Sequence, residues 1–145
     1  MEIYSIGFTQ KTAEQFFGIL KEAGIRRLMD VRLNNVSQLA GFSKRGDLAY
    51  FLRAILNAGY VHEPLLAPTR EMLDSYKKQK GNWDDYALDF SNLIQARQIE
   101  RYLDKDSFIQ PTALLCSEPT AENCHRRLVL EYLHERWGGL AIRHL

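Results

Sequence analysis

Residues 113–126, Ala-Leu-Leu-Cys-Ser-Glu-Pro-Thr-Ala-Glu-Asn-Cys-His-Arg, decide the fold, because they have the pattern of a strand that runs into a helix. The apolar run 112–115 predicts a short buried strand, Pro119 ends it, and Thr120 suits the N-cap of the next helix. Such turns are the units of α/β proteins, whose sites usually lie there. Both cysteines of the chain, a histidine, an arginine and carboxylates fall within this turn.

Strands and helices alternate along the rest of the chain. Further short strands are predicted by apolar runs at 3–6, 25–31, 60–62 and 140–142. Helices are predicted by apolar residues at helical spacing over 13–20, from near Asp47 to Gly59, from Trp83 to about Leu103, and from Thr120 to about Trp137. The chain is therefore expected to be α/β, a single-domain three-layer α/β/α fold over residues 1–145 with a mostly parallel sheet of about five strands.

Local signals set the predicted helix boundaries. Thr12 and Gln15 have the spacing of a capping box, Asn82 suits an N-cap, and Gly24 suits a helix end. Residues 64–80, with two prolines and a lysine-rich end, predict an irregular excursion over the surface.

Composition excludes several classes of protein. The chain has 145 residues, 46% of them hydrophobic and 26% charged, which is usual for one soluble globular domain. A net charge of +1 gives no general attraction to nucleic acid or membrane, and no apolar run reaches transmembrane length. The first residues lack the pattern of a signal peptide, so a cytoplasmic location is expected and the two cysteines are expected to be reduced.

The unusual polar residues follow the predicted strands. In parallel sheets, ligands bind beyond the carboxyl ends of the strands. This rule selects Thr9, Asp30, Arg32, His62, Glu63, Cys116, Glu118 and His144. We therefore expect a site at one edge of the sheet.

Cys116 ends a predicted buried strand and precedes a predicted helix. The helix dipole, with Arg126 or Arg32 nearby, would favour its thiolate, as a nucleophile or a metal ligand requires. Core strands also carry inert buried cysteines, so both interpretations stay open.

Helical geometry sorts the residues that follow. With Ala121, Leu128, Val129, Tyr132 and Leu133 as the apolar stripe, His125 falls near its middle and Cys124 at its edge. A histidine there needs a polar partner, either Cys116, Glu118 or Asp30, or a backbone carbonyl in a purely structural role. Arg126 lies off the stripe, and is expected to bind an anion or to pair with Glu118 or Glu122.

Asp30 and Arg32 form a second charged pair at a strand end. Two interpretations are equally open: they position a substrate, or Arg32 braces its loop against carboxylates.

Three chemical templates can be compared with these residues. The Cys-x5-Arg anion loop fails, because the sixth residue after Cys116 is Glu122. A metal site has Cys116, Cys124 and His125 as its main candidates, although no Cys-x2-Cys pair occurs. A pair of Cys116 with His125 needs only proximity in space and ranks slightly ahead. No Walker A or Gly-x-Gly-x-x-Gly motif indicates a nucleotide cofactor.

Five motifs give the chain a resemblance to a known family: Ser5-Ile6-Gly7, Asp30-Val31-Arg32, Ser37 with Gly41-Phe42, Cys116-Ser117-Glu118 and Cys124-His125-Arg126. Together they resemble the domain-of-unknown-function 488 family over almost the whole chain. The resemblance implies a small α/β domain and no established activity. The family usually has Gly-His after its first strand and a proline near Asn35-Val36, and this chain departs from both patterns, with Phe8 in place of the histidine.

Two functional hypotheses follow. In the first, the chain is a small enzyme for an anionic substrate, with Cys116, His125, Glu118 and Asp30 as catalytic candidates and Arg32, Arg126 and Thr9 as anion-binding candidates. In the second, it is a non-catalytic binding module, with nucleic acid as one partner, and the same charges form a structural ion-pair network. The sequence leaves the cofactor, the substrate and the oligomeric state open.

Overall fold

Five short segments form one parallel sheet in the computed structural model, which describes residues 1–35 and 41–145. The strands are β1 (Glu2–Gly7), β2 (Arg27–Asp30), β3 (Gly59–His62), β4 (Thr112–Cys116) and β5 (Ala141–His144). Their order across the sheet is β3-β2-β4-β1-β5, and every neighbouring pair is parallel. The predicted sheet of about five strands is confirmed, and it is wholly rather than mostly parallel.

Helices connect the strands. They are α1 (Ala13–Glu22), α2 (Arg45–Phe51), α3 (Arg70–Lys77), α4 (Trp83–Ala96), α5 (Ile99–Tyr102) and α6 (His125–Trp137). A π-helical turn, Leu52–Leu56, continues α2, and three 3-10 turns lie at Gly41–Ser43, Pro64–Leu66 and Lys105–Ile109. At the start of α1, the predicted capping box of Thr12 and Gln15 is confirmed, with both of its hydrogen bonds present.

The alternation of side chains along β4 shows why helices cover both faces. Ala113 and Leu115 pack into the cluster that contains α1 and α2, which we name the α1 face. Leu114 and Cys116 pack into the cluster that contains α4 and α6, which we name the α6 face. β4 is buried along its whole length, as expected for a central strand of a parallel sheet. The predicted three-layer α/β/α arrangement is confirmed.

The strand order creates a crevice between β2 and β4. The connection that leaves β2 leads to β3 on one side, whereas the connection that leaves β4 passes over β1 to reach β5 on the other. Because these two connections run in opposite directions, they leave an open space beyond the carboxyl ends of β2 and β4. Proteins of the α/β class bind ligands in such spaces.

Between β2 and β4, three predictions about the segments that connect the strands are wrong. Residues 64–80 contain the Pro64–Leu66 turn and α3 rather than an irregular excursion. The helix predicted to reach Leu103 is interrupted at Gln98, which has a left-handed backbone with φ 52°, and α5 follows. Asn57, with φ 51°, ends the second helical segment, so Gly59 is already the first residue of β3.

Thr120 is not the N-cap of the last helix. Cys124 occupies that position with an extended backbone and no side-chain cap, and α6 begins at His125. The physical reason is that the chain after β4 is tied to the end of β1. Thr9 donates to the carbonyl of Ser117, and Arg126 donates to the carbonyl of Glu118. These bonds draw the backbone away from a helical turn at Thr120.

Within the two described ranges, no helix is both long enough and apolar enough to cross a membrane. The cytoplasmic location stays a prediction.

Gly7, the last residue of β1, lies directly against the turn that follows β4. A Cβ placed on it would lie 1.6 Å from the carbonyl oxygen of Glu118 and 3.1 Å from Nη1 of Arg126. Backbone would therefore collide with any side chain at this position, and only glycine allows the turn after β4 to approach β1.

We expect Gly7→Ala to destabilise the protein by about 1–3 kcal/mol, the usual range for inserting a carbon into a packed interior. Gly18→Ala in α1 is the matched control, because a Cβ there meets nothing within 4 Å. It should stabilise the protein by about 0.5–1 kcal/mol through helix propensity. Urea unfolding of the three proteins measures both changes, and equal stability of wild type and Gly7→Ala would contradict the packing argument.

Candidate functional site

A pocket of about 150 Å³ lies in the crevice beyond β2 and β4. Five of the candidates contribute to its wall: Arg32, Cys116, Glu118, Cys124 and His125. Among the described residues, the wall of the pocket does not include Asp30, Arg126 or Thr9. Of the eight residues that the strand-end rule selected, only Arg32, Cys116 and Glu118 therefore line the pocket, whereas Cys124 and His125 come from the end of the turn after β4.

Cys116 and His125 form the chemical centre of the pocket. The Sγ atom of Cys116 lies 3.5 Å from Nδ1 of His125, and both residues are buried. Nε2 of His125 lies 2.7 Å from the carbonyl oxygen of Val31. Because a carbonyl oxygen only accepts, Nε2 must carry a proton, and the neutral ring then presents a bare Nδ1 to the thiol.

This geometry answers the question about the partner of His125. It has both predicted kinds of partner, a backbone carbonyl on Nε2 and the Cys116 thiol on Nδ1. The carbonyl fixes the tautomer and the orientation of the ring, and the other nitrogen stays available for chemistry. The ring of Phe90 packs against the imidazole at 5.3 Å between ring centres.

Cys124 brings a second thiol to the same point. The Sγ atoms of Cys116 and Cys124 and a ring nitrogen of His125 all lie within 4.8 Å of one another. Two thiolates and an imidazole are also donors that Zn²⁺ accepts, with its fourth position open to the pocket. These three predicted metal candidates are therefore together, whereas His62 and His144 are engaged elsewhere.

The surroundings shift the pKa values of the Cys116 and Cys124 thiols in opposite directions. The pKa of Cys116 is lowered, chiefly by a hydrogen bond from Cys124, and also by the backbone of Ser117 and the charge of Arg126; burial and Glu118 oppose this. The pKa of Cys124 is raised strongly, first by that same hydrogen bond and then by burial. Of the two thiols, Cys116 is therefore the more acidic and Cys124 the less acidic.

Arg126 is fully buried and braces the end of β1 against the turn after β4. Its Nε donates to the hydroxyl of Ser5 at 3.1 Å and its Nη1 to the carbonyl of Glu118 at 2.8 Å. Within residues 1–35 and 41–145 its Nη2 has no hydrogen-bond partner, and it forms no ion pair. A buried cation without a carboxylate partner favours a negative charge nearby, and the charge of Arg126 accordingly helps to lower the pKa of Cys116.

Two expectations for Arg126 are thereby wrong. It pairs with the backbone of Glu118 rather than with the carboxylate of Glu118 or Glu122. It also lies on the buried face of α6 rather than off the stripe. The buried residues of α6 are His125, Arg126, Val129, Leu130 and Leu133. The first turn of α6 lies over the ends of β1 and β4, where neutral polar partners accept the guanidinium.

Asp30 and Arg32 form a buried pair on the α1 face. Nε and Nη2 of Arg32 donate to the two carboxylate oxygens of Asp30 at 2.8 and 2.7 Å, and Nη2 also donates to the carbonyl of Ser43. Tyr60 donates its hydroxyl proton to Asp30 at 2.6 Å. Burial and this bond raise the pKa of Tyr60 to about 12. The pair braces the loop after β2, as one of the two open interpretations predicted.

Arg32 nevertheless retains one unused donor. Its Nη1 is buried and has no hydrogen-bond partner among the described residues, and the residue contributes to the pocket wall. Its guanidinium also lies over the ring of Phe8, 5.2 Å from the ring centre. Phe8 thus packs against a cation.

The remaining candidates lie around the rim or farther away. The carboxylate of Glu118 is partly exposed and binds Nζ of Lys77 at 2.6 Å. Thr9 donates to the carbonyl of Ser117 at 2.6 Å. His62 contacts the carbonyl of Arg32, Glu63 accepts from Tyr102, and His144 contacts the hydroxyl of Ser5.

Tyr86 and Lys77 line the pocket, but sequence analysis did not place them there. Tyr86 belongs to the apolar stripe of α4, and Lys77 belongs to the segment predicted to be irregular. Burial, and next the charge of Cys116, raise the pKa of Tyr86 strongly, so its phenol stays protonated. A tyrosine on an otherwise apolar helix face was the available signal for it, whereas nothing local marked Lys77.

The fold and the site define a class: a parallel α/β domain with a thiol and an imidazole in its strand-end crevice. A family model described as Domain of unknown function DUF488 matches residues 12–133, and the chain belongs to this family. The predicted family is therefore confirmed; four of the five motifs lie within the matched residues, and Ser5-Ile6-Gly7 precedes them. Ser37, one of the motif residues, lies outside the described residues. No curated protein and no solved structure matches the chain.

We expect Asp30→Asn to destabilise the protein by about 3–5 kcal/mol, because it leaves the buried guanidinium of Arg32 uncompensated. Glu131→Gln is the matched control, since Glu131 pairs with Arg127 at 3.3 Å on the exposed side of α6. Its removal should change stability by less than about 0.5 kcal/mol. Denaturant unfolding measures both changes in stability, provided that the unfolding free energy depends equally steeply on denaturant concentration in all three proteins. Similar effects of the two substitutions would contradict a structural role for Asp30.

Proposed function

We propose that this protein is a small enzyme in which the Cys116 thiolate attacks an anionic substrate bound in the pocket. One observation carries the proposal: the 3.5 Å contact between Cys116 Sγ and His125 Nδ1 at the wall of the crevice. A nucleophilic cysteine needs a base within reach and a third group that orients the base. The Val31 carbonyl, bonded to Nε2 of His125, supplies that third group.

His125 has two tasks in this proposal. Its Nδ1 takes the thiol proton of Cys116, which forms a thiolate and an imidazolium ion. The carbonyl of Val31 holds the ring in place and stabilises the positive charge that the ring then carries. The imidazolium can return its proton to the leaving group of the substrate.

The charges around the pocket support an anionic substrate. Nη1 of Arg32 is buried and has no hydrogen-bond partner among the described residues. Lys77 also contributes to the pocket wall. Lys77 is only partly neutralised by Glu118, because both side chains are solvent-exposed. In this proposal, Arg32 binds the anionic group, Asp30 positions Arg32, and Glu118 positions Lys77. Arg126 stabilises the thiolate by its charge, and Thr9 holds the turn after β4.

The alternative, a binding module for nucleic acid, has less support. The buried Asp30–Arg32 pair agrees with a structural ion-pair network. A net charge of +1 gives the chain no general attraction to a phosphate backbone.

We expect alkylation of Cys116 by iodoacetamide to follow an apparent pKa below about 8.5, the value of a free cysteine. The alkylation rate is proportional to the fraction of Cys116 that is thiolate. It should therefore already be high at neutral pH and should level off as the pH rises through that pKa. His125→Gln retains a donor for the Val31 carbonyl but lacks the basic nitrogen. It should slow the reaction at neutral pH by roughly tenfold and move the profile to higher pH. Peptide mass spectrometry measures the rate at each cysteine.

Cys116→Ser is the control for labelling elsewhere, and metal content is determined on the same sample. A wild-type Cys116 that stays inert at every pH would contradict the proposal. So would protection that disappears on chelation, since that identifies a metal ligand rather than a free nucleophile.

We expect the pocket to favour iodoacetate over iodoacetamide, relative to free cysteine. The two reagents attack in the same way and differ by one negative charge. Lys77→Gln should reduce this preference by about two- to fivefold, the effect of one charge at a few ångströms in partly solvated surroundings. Its rate with iodoacetamide should fall less, because the neutral reagent responds only to the fraction of Cys116 that is thiolate. Lys105→Gln is the surface control, and an equal effect of the two substitutions would contradict a local anion site.

A further inference from the structure

Cys124 is a buried thiol that the proposed chemistry does not consume. We propose that Cys116 and Cys124 are a reversible dithiol–disulfide pair, in which a hydroperoxide oxidises Cys116 and Cys124 then closes the disulfide. The inference rests on the proposed function, because the same thiolate attacks in both. Both cysteines are free in the structure, and their Sγ atoms lie within 4.8 Å of each other.

The backbone around the pair permits the bond to form. A disulfide needs its sulfurs about 2.05 Å apart, so the two thiols must approach by a few ångströms at most. Cys116 ends β4 and is held by the sheet, whereas Cys124 lies outside α6 at its N-cap. The segment 117–123 contains no helix or strand. Movement at Cys124 can therefore close the gap without breaking a strand.

Hydrogen bonds hold both ends of this segment. Thr9 and Arg126 bind the carbonyls of Ser117 and Glu118, next to Cys116. At the other end, the backbone N–H of Cys124 donates to the carbonyl of Ala121, and the carbonyl of Cys124 accepts from Arg127. Between them, Lys11 reaches the carbonyl of Pro119 at a long 3.4 Å, so the middle of the segment is the part that can adjust as the sulfurs approach.

The chemistry balances as a two-electron oxidation. The Cys116 thiolate attacks one oxygen of a hydroperoxide, so that an S–O bond forms and the O–O bond breaks, and the alkoxide leaves as an alcohol with the proton of His125. Cys124 then attacks the sulfur of the Cys116 sulfenic acid. An S–S bond forms, the S–O bond breaks, and the hydroxyl leaves as water with the proton of Cys124. An external dithiol returns the pair to its reduced form and becomes a disulfide itself.

The test uses the reduced, chelator-treated full chain with one equivalent of hydrogen peroxide. Non-reducing peptide mapping and thiol counting should show both thiols lost together and a Cys116–Cys124 disulfide, which dithiothreitol reverses. Cys124→Ser should instead stop at a sulfenic acid on Cys116, which dimedone traps. Cys116→Ser should consume peroxide at least tenfold more slowly. Circular dichroism and urea unfolding of both variants confirm that they fold.

Two results would overturn the inference. One is a wild-type protein that accumulates sulfenic acid to the same extent as Cys124→Ser. The other is a bound metal ion that survives chelation and protects both thiols. Iodoacetamide labelling of the same samples separates the two proposals. Reactive Cys116 without a disulfide leaves the proposed function standing and removes the redox pair, whereas inert Cys116 removes both.

Discussion

A guanidinium buried between the ends of two strands holds the site together. Arg126 reaches from the first turn of α6 to the hydroxyl of Ser5 in β1 and to the carbonyl of Glu118 after β4. Gly7 leaves the space through which this contact passes. The bonds fix the turn after β4, and that turn determines where Cys116 ends its strand and where α6 begins. The position of His125, and with it the thiol–imidazole contact, depends on the same brace.

The sheet separates two groups of buried charge. On the α1 face, the carboxylate of Asp30 pairs with the guanidinium of Arg32 and accepts a hydrogen bond from the phenol of Tyr60. The opposite charges of Asp30 and Arg32 compensate each other there. On the α6 face, the partners of Arg126 among the described residues are neutral oxygens, and its charge helps to lower the pKa of Cys116. The first group stabilises a loop, and the second favours an ionised sulfur. Both open toward the same crevice, because β2 and β4 are neighbours in the sheet.

The parts of the fold that depend on neighbouring residues were predictable from the sequence. The capping box of Thr12 and Gln15 and the apolar run of β4 each involve residues a few positions apart. The rule for strand ends also brought Arg32, Cys116 and Glu118 to one pocket. The start of α6 was not predictable, because it depends on bonds between the turn after β4 and the distant β1. The burial of Arg126 was missed for the same reason, since its Ser5 partner lies 121 residues away.

The brace also determines which positions of the chain are free to vary. Gly7 contributes the absence of a side chain, and Arg126 contributes a forked hydrogen-bond donor. No other residue reproduces either feature, so a substitution at either position disturbs the brace. Glu118, in contrast, contributes to the brace through a backbone carbonyl, which every amino acid possesses. Selection can act on its side chain only through the carboxylate that faces Lys77. A relative with another residue at this position would retain the architecture of the pocket and differ in the charge at its entrance.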